Sequence, residues 1–390
     1  MNSNYTMCYF PRRVFVVDTT LRDGNQSAYG TMFDREKLAI AEMLEWMGVD
    51  VIESGFAVSN GNGEFMKEVA KRVKKPYLSG LSRGRKEDIY ATYEAYKNYD
   101  KRMIHIFLPT SDVQVRAKFD KSQDELTKIA VASVKYAKQF FDVVEFTAED
   151  AARSNLDFLK RIYGEAVNAG ARVANIADTV GCSNPWYFGN LVRELGEYVK
   201  RINPYVKVSV HCHNDLGLAF ANTLAGIKSG ADIAEVTVNG LGERAGNCPL
   251  ELVAGYTEVE PQLYCTKVSK RKLYAAAKLV ERATGMRNDF APIVGRSAFA
   301  HKSGIHQHAL TIDRRSYEIL NARMFDRESE IVIGPHSGIH GMIAKAKQLG
   351  FTIDEEFAKK MLQRVADMVK EEKQKHFSDR DIEAMLKEVA

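Results

Sequence analysis

The sequence predicts an α/β chain, a (β/α)8 TIM barrel followed by a mostly helical C-terminal extension. Three observations carry that reading. Short β-branched or apolar runs alternate with amphipathic helical stretches, the alternation repeats eight times, and after about residue 250 helical patterns take over. Such alternation implies parallel strands joined by crossover helices, and eight units of it close into a barrel. An open doubly wound sheet is the competing architecture, but no GxGxxG follows the first strand to serve one.

The expected strands are 14–20 (VFVVDTT), 49–56 (VDVIESGF), 76–82 (PYLSGLS), 103–109 (MIHIFLP), 142–148 (DVVEFTA), 171–177 (ARVANIA), 206–213 (VKVSVHCH) and 233–239 (IAEVTVN). The first helix is expected over 34–47, with Asp34 as cap and Leu38, Met43, Leu44 and Met47 on one face. Further helices are expected at 268–285, 338–349, 353–372 and 378–389, the last two opened by Thr352 with Glu355 and Ser378 with Asp381. The stretch 286–335 is polar, rich in His and Arg, and weakly periodic. The expected division is therefore a catalytic barrel over 1–275 and a helical subdomain with a linker or lid segment over 276–390.

Bulk composition excludes several classes. The chain has 390 residues, 45% hydrophobic and 27% charged, enough for a large core. Its 55 basic and 51 acidic residues are near balance and dispersed, which argues against nucleic acid as a partner. No apolar run reaches the roughly 18 residues of a membrane helix. The N-terminal MNSNYTMCYFPRRVF lacks the apolar core of a secretory signal. Cys8, Cys182, Cys212, Cys248 and Cys265 are odd in number, without a CxxC pair, and read as free thiols of a reducing compartment. A cytoplasmic location is the expectation.

The chemistry is expected where the strands end, because the C-terminal ends of barrel strands converge on the catalytic face. In order they offer Arg22 and Asp23, Glu53, Arg83, His105, Glu149, Asp178 and Thr179, His211 and His213, then Asn239 and Glu243. Folding alone does not call for charge there. In a strand, residues i and i+2 share a side, so His211 and His213 present two imidazoles to one cavity. A lone His would read as a hydrogen-bonded core residue. Two with a convergent carboxylate make a divalent metal site with open positions, and barrel closure brings Asp23 beside the last strand. Arg22 next to that site implies an anionic substrate or enolate, unless it is spent on Glu53 or Glu243. The Gly-rich loop 239–247 either cradles phosphate or turns tightly, and its Asn247 can orient groups around a metal.

These motifs carry a resemblance. TTLRDG (19–24) with Gln26, HCHNDLG (211–217) and NGLGERAGN (239–247) resemble the metal-dependent family of 2-isopropylmalate, homocitrate and citramalate synthases. EFTAEDAAR (145–153), IADTVG (176–181) and AFAHKSGIHQ (298–307) extend the likeness over roughly 14–340. It implies metal-assisted condensation of acetyl-CoA with a 2-oxo acid, 2-oxoisovalerate favoured, followed by thioester hydrolysis, as in leucine biosynthesis. By matching position, Asp23, His211, His213 and Asn247 would hold Mg, Mn, Zn or Co. Arg22 would stabilise developing charge, and His105, Thr147 and Thr179 would line the oxo-acid pocket. Glu149 and His306 would form the base, His306 reaching the barrel of a partner subunit, so a homodimer is implied.

The departures concern substrate choice. SGIHQHA (303–309) carries His308 where an acid is common, GPHSG (334–338) carries Pro335 in place of a basic residue, and GFAVSNGNGEF (55–65) lacks a common proline. The length leaves no room for a leucine-responsive regulatory domain, so no such feedback is expected. Homocitrate synthase (2-oxoglutarate), citramalate synthase (pyruvate), a related acyl-CoA lyase and a non-catalytic barrel are the alternatives. A dicarboxylic oxo acid would need a second cation, for which Arg83, Arg85 and Arg153 are candidates. The lyases place a catalytic cysteine where this chain has Glu243 and Arg244, and Cys248 reads as a packed thiol.

Overall fold

The computed structural model describes residues 10–59 and 61–389, so Cys8 and the first nine residues lie outside the described ones. It forms two compact units, one ending at Arg287 and the next starting at Asn288. The first unit bears out the expected barrel. Its eight strands are β1 (Phe15–Asp18), β2 (Val51–Glu53), β3 (Tyr77–Arg83), β4 (Arg102–Pro109), β5 (Val143–Glu149), β6 (Val173–Asp178), β7 (Lys207–Cys212) and β8 (Ile233–Val236). They pair in sequence order, all parallel, and β1 closes on β8 with Phe15 opposite Ile233. A two-residue parallel pair, Arg12–Arg13 with Tyr264–Cys265, lies beside the barrel.

Period two explains how the interior is built. Val17, Val51, Met103, Val173 and Ile233, with Phe15 and Val143 against them, make an apolar floor. Two positions further along the strands, on the same side, stand Glu53 after Val51, His105 after Met103, Glu145 after Val143, Asn175 after Val173 and Glu235 after Ile233. All five are buried. Parallel barrels are ordinarily filled with branched apolar side chains at every level. Here one level is polar, and it lies toward the strand ends.

The first helix runs over Asp34–Met47, with two corrections. Phe33 is the cap, because its backbone N–H donates to Glu36 at 2.8 Å, while Asp34 is already helical. The buried face is Lys37, Ile40, Ala41, Leu44 and Met47, with Leu38 and Met43 only partly covered. The helix Leu273–Thr284 falls in the first unit.

In the second unit, helices Ile339–Gln348, Glu355–Lys370 and Asp379–Val389 bury Met342, Ala346, Ala358, Met361, Val365, Ile382 and Leu386 in one cluster. Ser378 and Asp381 form the expected reciprocal cap, at 2.7 and 3.3 Å. Thr352 does not cap the preceding helix: Asp354 does, accepting from Phe357 N–H at 2.8 Å. The weakly periodic segment holds the helix Gly304–Ile312, which the sequence pattern did not reveal.

Candidate active site

Three expected donors converge. His211 is the penultimate residue of β7, His213 lies just beyond it, and Asp23 follows β1 through the turn that starts at Thr19. His211 Nε2 lies 3.1 Å from His213 Nε2 and 3.5 Å from Asp23 Oδ2, and His213 Nε2 is 3.8 Å from the same oxygen. All three are buried and form a group able to hold a metal ion. Burial pushes the Asp23 carboxyl up, but Arg22 and the two imidazoles hold it well below the usual carboxylate range. The imidazoles diverge: burial pushes His211 down, yet Asp23 and Glu235 lift it to about 9, while burial and His211 together take His213 down to about 3.

The loop after β8 fixes this group. Asn239, Gly240, Arg244 and Gly246 all take positive φ, so the chain doubles back and Asn247 N–H donates to Gly240 O at 2.9 Å. That fold delivers Glu243 N–H to Asp23 Oδ1 at 3.2 Å. It also pairs Asn247 with His213 in an isolated antiparallel bridge. A Cβ on Gly242 would strike Asn247 Nδ2 and come within 3.0 Å of Asp23 Oδ1, so glycine leaves room for the two side chains. Arg244 is tied down by Asp215, from Nε at 2.7 Å.

Arg22 is held on two sides. Its Nε donates to Glu53 and its Nη1 to Asp23 Oδ2 at 2.6 Å, leaving Nη2 without a hydrogen bond among the described residues. Glu53 also meets His105 Nδ1 at 2.6 Å, and His105 Nε2 lies 2.6 Å from Thr147 Oγ1. Asn175 Nδ2 donates to the same hydroxyl at 3.0 Å. Arg22, Glu53, His105, Thr147 and Asn175 thus form one chain of contacts from the metal group into the polar level. His105, Glu145 and Glu235 make a second group with metal-ligand geometry, but both His105 nitrogens are already engaged.

Comparison with known proteins follows the same divisions. A family model described as HMGL-like matches residues 13–280, and one described as homocitrate synthase post-HMGL domain-like matches 293–373. A 2-isopropylmalate synthase of Dictyoglomus turgidum is 41% identical over 377 residues, covering 96% of this chain and 74% of that protein. The chain belongs to the 2-isopropylmalate synthase family. A second member, from Pyrococcus abyssi, is also 41% identical and covers 97% of this chain and 78% of its own. A solved hydroxymethylglutaryl-CoA lyase from Pseudomonas aeruginosa shares the fold, with TM-score 0.61 and 20% identity over 74% of this chain and 97% of that one.

Other residues expected from the synthase family motifs are placed as follows. Glu149 ends β5, with Oε1 bonded to Lys118 at 2.7 Å and Oε2 buried without a partner. Thr179 Oγ1 accepts from Asp150 N–H at 2.8 Å. His306 lies in the second unit, its ring stacked on Tyr317 at 3.8 Å between centroids. Arg83 is bound by Asp88 and Arg153 by Asp150, so two of the three candidate cations already have a carboxylate. Burial pushes the Cys248 thiol up to about 12, which suits a packed thiol and not a nucleophile. Sequence reasoning missed Glu145 and Glu235. Their signal was a single acid inside an otherwise apolar parallel strand, VVEF and IAEV.

No described helix is long and apolar enough to cross a membrane.

Proposed function

We propose that this chain condenses acetyl-CoA with a 2-oxo acid, converting 2-oxoisovalerate to 2-isopropylmalate, with a divalent metal held by Asp23, His211 and His213. The observation that carries the reading is the convergence of those three buried donors beside an arginine with one uncommitted nitrogen. The donor set fits such an ion: one carboxylate and two imidazoles, with Asn247 Oδ1 and His213 Nδ1 buried and unpartnered close by. Asn247 is assigned to its edge. One Asp and two His suit Mg, Mn, Zn or Co alike. A divalent ion bound there polarises the 2-oxo carbonyl and draws in the substrate carboxylate.

The residues then divide the work. Arg22, fixed by Glu53 and Asp23, directs Nη2 hydrogens to the oxygen that gains negative charge on addition. His105 and Thr147 wall the oxo-acid pocket, with Thr179 beside them. His306 takes a proton from the acetyl methyl group, oriented by Glu149. The carbanion carbon bonds to the 2-oxo carbon, and water then cleaves the thioester to release CoA. His306 is assigned to the partner subunit's barrel, making the working unit a homodimer in the cytoplasm. The carboxylates already bound to Arg83 and Arg153 favour a branched, apolar oxo acid over a dicarboxylic one.

The test is release of free CoA from acetyl-CoA with metal supplied, against 2-oxoisovalerate, pyruvate, 2-oxoglutarate and oxaloacetate separately. Chelated enzyme and His213→Ala serve as blanks. Metal-dependent release with 2-oxoisovalerate is the expected result. Release with 2-oxoglutarate alone would instead make the chain a homocitrate synthase, and silence with all four would reject the condensation.

A further inference from the structure

Beside the metal site proposed above, on which this inference rests, lies a buried carboxylate with no role yet assigned, Glu235. It lies in the middle of β8 (IAEV), is 1% exposed, and stands two positions beyond Ile233 of the apolar floor. An unpaired carboxylate there would cost several kcal/mol to bury. In the β7–β8 register, His211 is directly opposite Glu235. His211 Nδ1 is 3.0 Å from Glu235 Oε2, close enough for an ion pair although the two are not aligned as a hydrogen bond. The other carboxylate oxygen accepts from Ser209 Oγ at 3.3 Å, which fixes the plane of the group from β7 itself.

The His211 ring therefore lies between two carboxylates, with Asp23 at Nε2 and Glu235 at Nδ1. An imidazole binds a metal through a bare nitrogen, so the other nitrogen carries the proton and needs an acceptor. Neither Nδ1 makes a hydrogen bond, but among the described residues only that of His211 has a carboxylate at ion-pair distance. The two ligands differ in this one respect.

We propose that Glu235 is a positioning residue, which accepts the Nδ1 proton of His211 and so holds its Nε2 lone pair on the metal. Ser209 acts one step further back by holding Glu235. Glu235 reaches the substrate only through His211.

The experiment measures metal affinity of metal-free protein by competition with a chromophoric chelator, using Co(II) and Zn(II), for wild type, Glu235→Leu, Glu235→Gln and His213→Ala. Outer-shell partners of metal-bound histidines are worth roughly 10- to 100-fold in affinity, and Glu235→Leu is expected to lose that much. Glu235→Gln keeps an acceptor oxygen and is expected to recover most of it. A residue that merely supports the fold would show no such rescue. Folded Glu235→Leu with wild-type affinity would overturn the proposal, as would equal losses in the Leu and Gln variants. If the Leu variant does not fold, ring 15N shifts of His211 in the metal-loaded wild type decide. A protonated Nδ1 supports the assignment and a bare Nδ1 overturns it. His213→Ala separates the two readings: wild-type affinity there removes the metal site itself, whereas its loss beside an unaffected Glu235→Leu removes only the role of Glu235.

Discussion

The floor of the barrel and the level above it occupy the same strands two residues apart, yet their chemistry is opposite. Val51, Met103, Val143, Val173 and Ile233 are what a parallel barrel needs to fold. Glu53, His105, Glu145, Asn175 and Glu235 are what it does not need, since each buried polar group costs free energy unless it is paired. Most of the pairing runs upward, to Arg22, Thr147 and His211. Glu145 is the exception, with neither oxygen hydrogen-bonded; burial and then Glu235 push its carboxyl well above the usual range. The difference teaches that the floor supplies stability, while the polar level spends some of it on aiming the groups at the strand ends.

That division can be broken at several points. The largest effect is expected for His213→Ala, which removes one of the three proposed metal donors. A metal contributes several kcal/mol to such a barrier, so CoA release should fall on the order of a thousandfold while the melting temperature of metal-free protein stays close to wild type. At the floor the expectation reverses. Met103→Ala leaves a cavity at a side chain only 2% exposed, and should cost about 2–5 kcal/mol in denaturant unfolding while the folded fraction keeps its turnover. If Met103→Ala lowered turnover and spared stability, the two levels would not be separable.

Gly242→Ala sharpens the comparison from above, because its methyl group presses on Asn247 and Asp23. Metal affinity, read by chelator competition, should fall roughly tenfold. The smallest effect concerns Glu251, a buried carboxyl behind the site that accepts from Asn239 N–H at 2.6 Å. Burial above all raises it from 4.5 to about 7. A carboxyl raised in the fold is neutral there while it ionises in the unfolded chain, so stability falls as pH climbs from 4.5 to 7 and stays lower above that. Glu251→Gln removes this penalty. Thermal melts should place the variant a few degrees above wild type at pH 8 and level with it at pH 4.5.

Much of the barrel was legible because period two and the spacing of strands are properties of the chain itself. Eight runs were expected and eight strands form, each inside or within a residue or two of its expected range. The converging Asp23, His211 and His213 were legible for the same reason, as the strand ends of a closed barrel have one place to go. Caps were less so. Asp34 and Thr352 had the right chemistry, but Phe33 and Asp354 hold the extended φ and ψ that a cap requires. Gly304–Ile312 escaped notice because its buried face is little more than Gln307. Glu145 and Glu235 were passed over because an apolar strand was read as a whole, when the one residue out of character marked the polar level.

The seam between β1 and β8 has a consequence for how the molecule comes into being. Thr20 accepts from Val238 N–H across 218 positions of chain, and Asp23 from Glu243 N–H across 220. At synthesis rates of roughly 5–20 residues per second, Asp23 waits on the order of tens of seconds for that partner to emerge from the ribosome. His211 and His213 emerge before β8, yet they meet Asp23 only when the last strand closes the ring. The proposed metal centre is therefore a property of the finished barrel, and an interrupted chain that stops short of β8 holds every proposed donor except Asn247 without being able to assemble them.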